Sequence, residues 1–366
     1  MKRILFFVML CIVSFQTFAI IDMEPANQTR TVSITADRSA LPAGNYYVFN
    51  EELVAFNNQD YGKYGRSGFV CKSSTDSKNG MCSTSQRWKS VRKETNISLR
   101  FTESRTGISR DLIVKGYGIF PFQNGSICGT YRGPVEFGSV SMTRCEDNTF
   151  YAGYRFTLYF DQSELSKLPV GGIWTAQLLL DYLQWKNVYK ATYTVNFKIN
   201  LTDKKNIQVW LPDFGKGSPQ IDLNITPFHG GGLKGQNVVN MCFYDGYSTN
   251  SSHLQLRFYD DDGSDSGTDL FKLTSADGIG KLPYKVSLAF GGGAAKTIIN
   301  NRAFVIEGNI PVNWARILAV SLPDIPIPVL CWPATLTLNA NLPVSQPAND
   351  YTGRLIVAFT PDSASL

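Results

Sequence analysis

The chain has 366 residues, which suggests two domains rather than one, each long enough to bury its own core. Charged residues make up 18% and aromatic residues 13% of the sequence, a mixture that excludes a disordered chain, a coiled coil and collagen. The formal net charge of +5 is too mild to indicate a protein that binds nucleic acid.

The first residues have the pattern of a secretory signal peptide. A basic start at residues 1–3 is followed by an apolar run over residues 4–13 and by a small residue at Ala19. This run is far shorter than the ~20 apolar residues that span a bilayer, so a membrane anchor is the weaker interpretation. We therefore predict that residues 1–19 are a signal peptide and that the rest of the chain is exported.

The cysteines fit an oxidising compartment. Cleavage after Ala19 removes Cys11 and leaves six of the seven cysteines, an even number that indicates disulfides in an exported protein. Sequence alone does not fix the connectivity, but the spacing favours three pairs, which are Cys71 with Cys82, Cys128 with Cys145, and Cys242 with Cys331. A metal site is the weaker interpretation, because the chain has no Cys-x-x-Cys pair and only two histidines.

Alternation of apolar and polar residues is the dominant signal along the chain, and it is typical of half-buried strands. Strand-like segments follow one another at residues 97–101, 111–115, 155–160, 174–180, 193–201, 254–258, 336–340 and 355–359. The sequence at residues 184–187 fits the connection of an antiparallel pair, and residues 163–168 fit one short helical turn. Because long helical patterns are scarce, we predict an all-β fold built from sandwiches.

A short polar stretch at residues 203–206 divides the strand-like runs. It lies between the strand that ends near Leu201 and an apolar run over residues 207–211. We therefore place a first domain at residues 20–202, a linker at 203–206 and a second domain at 207–366.

The sequence carries no motif that indicates catalysis. G-x-S-x-G, H-E-x-x-H and P-loop signatures are absent, and two histidines leave little for acid–base chemistry. The aspartate-rich segment at residues 260–265 lacks the later acidic residue of an EF-hand loop, so a solvated hairpin is the better interpretation. We predict a protein that is not an enzyme and that has no metal ion and no cofactor.

Several segments carry a resemblance to a known family. The most distinctive reads MCFYDGYSTNSS at residues 241–252, and others lie at residues 116–117, 167–174, 200–212 and 328–333. The sequence resembles the minor tip pilins of the alternate chaperone–usher pathway, the CfaE/CblD-type fimbrial tip adhesins of Gram-negative bacteria. This resemblance covers essentially the whole chain after the signal peptide.

The resemblance implies two immunoglobulin-like β-sandwich domains in tandem, an N-terminal adhesin domain and a C-terminal pilin domain. It also implies local disulfides in the first domain and a Cys242–Cys331 bridge in the second. The pilin domain is expected to be an incomplete fold that lacks its last strand, which leaves an open apolar groove. We expect Leu355, Val357 and Phe359 to line this groove, and an ordinary closed core is the alternative.

The same resemblance implies a set of partners. A periplasmic chaperone is expected to fill the groove first, and the N-terminal extension of the major pilin subunit then replaces it as the donor strand. An outer-membrane usher is the remaining assembly partner. The chain is accordingly expected to pass through the periplasm to the bacterial cell surface and to lie at the fimbrial tip.

The family's receptor pocket uses basic residues of the adhesin domain, and Arg66 falls on one of those positions. A guanidinium there is expected to form two hydrogen bonds to a carboxylate, such as that of a sialylated glycan. Where the family carries an arginine pair, this sequence has Gln184 and Trp185, followed by Lys186. We predict that these four residues bind a host glycan or glycoprotein, with Trp185 stacked on a sugar face. The missing arginine pair leaves an alternative, a non-adhesive minor pilin that initiates fimbrial assembly.

Overall fold

The computed structural model describes residues 20–89, 91–121, 134–140, 151–214, 218–307 and 318–361. Strands dominate these ranges, and the helical elements in them are α1 (Tyr61–Tyr64) and two 3-10 turns, Gln162–Lys167 and Lys204–Asn206. In the same ranges no helix is both long enough and apolar enough to cross a membrane. The prediction of an all-β fold is confirmed.

The described residues of the first domain form one nine-stranded sheet. Its strands are β1 (Asp22–Met23), β2 (Gln28–Asp37), β3 (Asn45–Asn57), β4 (Ser67–Cys71), β5 (Thr95–Glu103), β6 (Ser109–Ile119), β7 (Gly153–Asp161), β8 (Gly172–Gln184) and β9 (Val188–Thr202). The strand order is β1-β3-β7-β6-β5-β8-β9-β2, and β4 pairs with β8. The β2–β9 ladder is parallel, while the other ladders described for this sheet are antiparallel.

This sheet folds back on itself to enclose the core of the first domain. Strands β5 and β8 share only two register pairs, so the sheet can bend where they meet. The ring of Phe156 on β7 then lies 4.5 Å from Phe69 on β4 and 5.5 Å from Tyr193 on β9, centroid to centroid. The alternation predicted for residues 193–201 reflects the packing of this core, because every second side chain of β9 enters it.

The second domain is a sandwich of two sheets. Its strands are β10 (Gln208–Trp210), β11 (Thr226–Pro227), β12 (Leu233–Tyr244), β13 (His253–Asp260), β14 (Phe271–Ser275), β15 (Lys281–Phe290), β16 (Lys296–Thr297), β17 (Phe304–Glu307), β18 (Leu318–Val320), β19 (Val329–Leu342), β20 (Tyr351–Thr352) and β21 (Leu355–Pro361). One sheet has the order β10-β12-β19-β15-β14-β20, and the other has the order β17-β13-β21. Phe243 of the first sheet meets Phe359 of the second at 5.1 Å between ring centroids.

Two of the three predicted disulfides lie in the described residues, and both are formed. Cys71–Cys82 closes a loop of 11 residues in the first domain, and Cys242–Cys331 joins β12 to β19 across 89 residues. In a loop-closure model such bridges stabilise by roughly 3 and 4.6 kcal/mol respectively, so the second is the stronger constraint. Cys128 and Cys145 lie outside the described residues.

The two domains meet at the loop over residues 245–252, which belongs to the segment that carries the family resemblance. The Ser248 hydroxyl donates to the Gly171 carbonyl at 2.6 Å, and the Asp203 backbone N–H donates to the Gly246 carbonyl at 2.8 Å. The buried residues of the second domain that pack with the core of the first are Cys242, Tyr244, Leu322, Ile325, Val329 and Cys331. The joint is therefore both hydrogen-bonded and apolar.

Candidate functional site

Arg66 lies in the turn between α1 and β4. Tyr64, which ends α1, is buried, and the Ser67 hydroxyl donates to its carbonyl at 2.6 Å, which closes the turn. In the β4–β8 ladder Ser67 is the register partner of Gln184, the last residue of β8. The fold therefore brings Arg66 beside the hairpin that joins β8 to β9.

Trp88 connects Arg66 to this hairpin. The guanidinium carbon of Arg66 lies 5.1 Å from the centroid of the Trp88 ring, and the Trp88 and Trp185 centroids are 5.0 Å apart. Trp88 is 51% exposed, whereas Trp174 of the core is completely buried. We call Arg66, Trp88 and Trp185 the tip patch. Trp88 was not predicted from the sequence, because it lies in an irregular segment without alternation. The available signal was its position between Arg87 and Lys89.

Hydrogen bonds between a loop and the hairpin hold the two tryptophans together. The Gln86 backbone N–H donates to Asn187 Oδ1 at 2.8 Å, and the Asn187 backbone N–H donates to Gln86 Oε1 at 3.2 Å. The Gln86 side-chain amide also donates to the Leu183 carbonyl at 2.9 Å. These contacts fix the segment that carries Trp88 against the turn that carries Trp185.

The other two predicted receptor residues flank Trp185. Gln184 is half-buried at the end of β8, and Lys186 is exposed in the turn, where its φ of 70° lies in the left-handed region. Strand β8 begins at the joint between the domains and extends over 13 residues, so the patch is about 40 Å from that joint. Arg66, Gln184, Trp185 and Lys186 thus lie together at the end of the first domain that is remote from the second.

In the second domain, strand β21 is an edge strand. Among the described residues it pairs with β13 alone, which leaves the backbone groups of its other edge without a strand partner. Leu355, Val357 and Phe359 are all half-buried, whereas the apolar residues of β13 are completely buried. Among the described residues, strand β21 is therefore hydrogen-bonded to another strand along one edge only, and its apolar side chains are only partly buried.

A cleft of about 430 Å³ lies beside the open edge of β21. Most of its lining is apolar and comes from both sheets, namely Val209, Leu211, Ile221, Leu223, Val239, Met241, Leu273, Leu336, Leu338, Leu355, Ile356 and Val357. Two of the three predicted groove residues, Leu355 and Val357, belong to this lining. The structure places Phe359 elsewhere, in the contact with Phe243 that links the two sheets. An apolar cleft beside unpaired strand edges has the chemistry to accept an extended peptide.

Comparison with known proteins matches both domains. The family model for the first domain of CfaE, a subunit of CFA/I fimbriae, matches residues 17–204, and the model for the second CfaE domain matches residues 207–363. The chain belongs to the CfaE family of CFA/I fimbrial subunits. The CFA/I fimbrial protein CfaE of Escherichia coli is 38% identical over 371 residues, which cover all of both chains.

Solved structures agree with membership of the CfaE family. The crystal structure of CfaE, the adhesive subunit of the CFA/I fimbria of enterotoxigenic Escherichia coli, is 36% identical, with a TM-score of 0.82 over 94% of this chain and 95% of that one. A chaperone–tip adhesin complex of CFA/I fimbriae is also 36% identical, with a TM-score of 0.68 over 94% of this chain and 99% of that one. The CfaE family is non-enzymatic and consists of fimbrial adhesin subunits.

Proposed function

We propose that this chain is the tip adhesin of a chaperone–usher fimbria, which binds a host glycan through residues 20–202 and joins the fimbrial shaft through residues 207–366. The observation that carries the proposal is the tip patch, in which Arg66 and two tryptophans are presented at the end of the molecule remote from the second domain. The adhesive role of the 36% identical relative supports the same conclusion.

The chemistry of the tip patch favours a glycan with one negative charge. A guanidinium stacked on an indole keeps its edge free for two hydrogen bonds to a carboxylate, such as that of a sialylated glycan. Tryptophan combines a large apolar face with an N–H donor, which suits the C–H face of a sugar ring. Gln184 adds an amide for sugar hydroxyls, and Lys186 adds a second cation at the rim. We therefore assign receptor binding to these residues together with Trp88.

The groove beside β21 gives the second half of the proposal. An extended segment that pairs with the open edge of β21 satisfies its backbone groups and places alternate side chains against Leu355 and Val357. The periplasmic chaperone occupies this groove first, and the N-terminal extension of the major pilin subunit replaces it at the outer-membrane usher. Export of the chain begins with the signal peptide at residues 1–19 and ends with the fimbrial tip at the bacterial surface.

The receptor assignment is tested with the purified full chain on host cells and on a glycan array. We expect Arg66→Ala and Trp88→Ala each to weaken binding by about tenfold or more, because each removes a charge-assisted or stacking contact. Trp88→Tyr keeps an aromatic face and should retain part of the binding. Arg110→Ala is the matched control, since Arg110 is an exposed arginine elsewhere on the first domain.

The possible results separate the two functions that the sequence left open. Binding that is lost in both patch variants and kept in the Arg110 variant supports the adhesin. Binding that is unchanged in the patch variants contradicts the assignment of these residues. A chain that binds no cell and no glycan, but is still required for fimbriae to form, is the non-adhesive initiator.

A further inference from the structure

A second cleft, of about 560 Å³, opens on the outer face of the first domain where β5 and β8 separate. The disulfide loop over residues 71–82 fills the gap between the two strands. Its Ser77 carbonyl accepts the Arg100 backbone N–H at 2.9 Å, and its Asn79 carbonyl accepts the Leu179 backbone N–H at 3.0 Å. The cleft therefore has a sheet as its floor and a pinned, cross-linked loop as one wall.

The charged side chains that line this cleft are all cationic. They are Lys78 of the loop, Arg100 of β5 and Lys198 of β9, and none of the described lining residues carries a carboxylate. Arg100 is held in place from outside the cleft, with its guanidinium 3.0 Å from the Ser77 hydroxyl and 3.4 Å from the Asp111 carboxylate. Lys78 and Lys198 are exposed. Arg100 is also paired with Asp76 at 3.5 Å, whereas none of the ion pairs among the described residues includes Lys78 or Lys198. Two lining lysines without a carboxylate partner favour an anionic ligand.

A row of side-chain amides crosses the floor of the cleft. The Asn79 side-chain amide donates to the Gln177 backbone carbonyl at 3.1 Å, and the Gln177 side-chain amide donates to Asn196 Oδ1 at 3.0 Å. The hydroxyl-bearing side chains in the lining are Thr31, Thr102 and Thr175. Amides and hydroxyls that both donate and accept are the groups that match the hydroxyls of a saccharide.

We propose that this cleft is a binding site for an anionic saccharide. Lys78 and Lys198 bind the sulfate or carboxylate group, and the amides of Asn79, Gln177 and Asn196 bind the sugar hydroxyls. Gln184 lies seven positions after Gln177 on β8, which is about 23 Å along the strand, so this cleft is distinct from the tip patch. The site follows from the cleft itself and stands whether or not the tip patch binds a receptor.

The test measures binding of three probes to the full chain by calorimetry and by NMR. The probes are a heparin-derived sulfated hexasaccharide, 3′-sialyllactose and neutral lactose. We expect the double variant Lys78→Gln/Lys198→Gln to bind at least one anionic probe about tenfold or more weakly, because two charge-assisted contacts are lost. The matched control, Lys205→Gln/Lys296→Gln, removes two exposed lysines outside the cleft and should bind like the parent. Measuring the double variant and its control again in an Arg66→Ala background removes the contribution of the tip patch.

Each outcome decides for or against the site. Selective binding of the hexasaccharide identifies a sulfate ester as the anionic group, and selective binding of sialyllactose identifies a carboxylate. The proposal is overturned if neither anionic probe binds, if lactose binds equally well, or if the control variant weakens binding to the same extent. Loss of all binding with Arg66→Ala alone also overturns it, since the ligand then occupies the tip patch. Unchanged melting temperatures establish that the variants remain folded.

Discussion

Asn187 determines whether the two tryptophans of the tip patch, the exposed Trp88 and the half-buried Trp185, have a defined arrangement. Its φ of 59° lies in the left-handed region. Apart from glycine, asparagine is one of the residues that tolerate this region best. It also makes the reciprocal hydrogen bonds with Gln86 that join the Trp88 segment to the hairpin. A single residue thus provides both the turn conformation and the hydrogen bonds.

We predict that Asn187→Ala lowers the free energy of unfolding by about 2 kcal/mol, because it loses a hydrogen bond and places a β-carbon in the left-handed region. Asn187→Gly, which tolerates that conformation, should lose only about 1 kcal/mol from the missing hydrogen bond. Urea denaturation followed by tryptophan fluorescence measures both. Two variants as stable as the parent would show that the loop and the hairpin are not coupled.

Asp245 is a buried carboxylate at the joint between the domains. It accepts the backbone N–H groups of Tyr247, Thr249 and Ser251 at 2.8, 3.0 and 3.2 Å. These donors favour the charged form, but burial is the larger effect and raises the pKa of Asp245 above its ordinary value of 3.8. The unfolded chain therefore releases this proton at a lower pH than the folded chain does.

A pH dependence follows from that order of proton release. The stability that Asp245 contributes is fully present below its unfolded pKa and is lost as the pH rises through its raised folded pKa. We predict that the parent's stability advantage over Asp245→Asn shrinks as the pH rises from about 3 to about 7. Chemical denaturation of both proteins across this range measures the difference, in which the shared carboxylates cancel. An advantage that grows with pH would mean that the three N–H donors outweigh burial.

Among the elements, β21 and β13 differ in a way that has a measurable consequence. Both strands carry apolar residues, but β13 lies between two strands and β21 has a described partner on one side only. We predict that a peptide with the sequence of the major pilin's N-terminal extension raises the melting temperature of the full chain. At a peptide concentration of 100 times Kd the gain is about 2.7 kcal/mol. A peptide that binds without any thermal shift, or does not bind, is incompatible with the donor-strand groove.

The same experiment has a control on the opposite edge of that sheet. Val357→Asp places a charge in the groove and should abolish most of the thermal shift, because a buried unpaired carboxylate is costly. Val305→Asp introduces the same charge on β17, where the side chain is already 46% exposed, and should leave the shift unchanged. Equal shifts for the two variants would place the peptide outside the groove.

Period-two alternation predicted part of the strand pattern, but β2 and β15, which also bury alternate residues, were not named from the sequence. Every strand-like segment named from the sequence lies inside an observed strand, including residues 193–201 within β9. Strand β4 was not predicted, because it is buried on both faces and so shows no alternation. The parallel β2–β9 ladder was not predicted either, because pairing between distant segments leaves no local signal. Arg66 and Trp185 were named from the resemblance, whereas Trp88 became visible only through contacts that cross the fold.

On the scale of the whole molecule, the two proposed activities lie in different domains, and the tip patch is about 40 Å along β8 from the joint between them. The tip patch is held by contacts within the first domain, between the Gln86 loop and the β8–β9 hairpin. The cleft beside β21 is lined by residues of the second domain. Neither site includes a residue of the joint at 245–252. Adhesion and assembly should therefore respond to separate substitutions.

We predict that bacteria carrying Trp88→Ala assemble fimbriae with this protein at the tip but lose most adhesion to host cells. Bacteria carrying Val357→Asp should fail to incorporate the protein, because a charge in the groove opposes pairing with the chaperone and with the donor strand. Immunogold labelling counts the tips, and cell binding measures adhesion. If Trp88→Ala also removes the protein from the tip, the patch is needed for folding or assembly, and its loss of adhesion no longer supports a receptor contact.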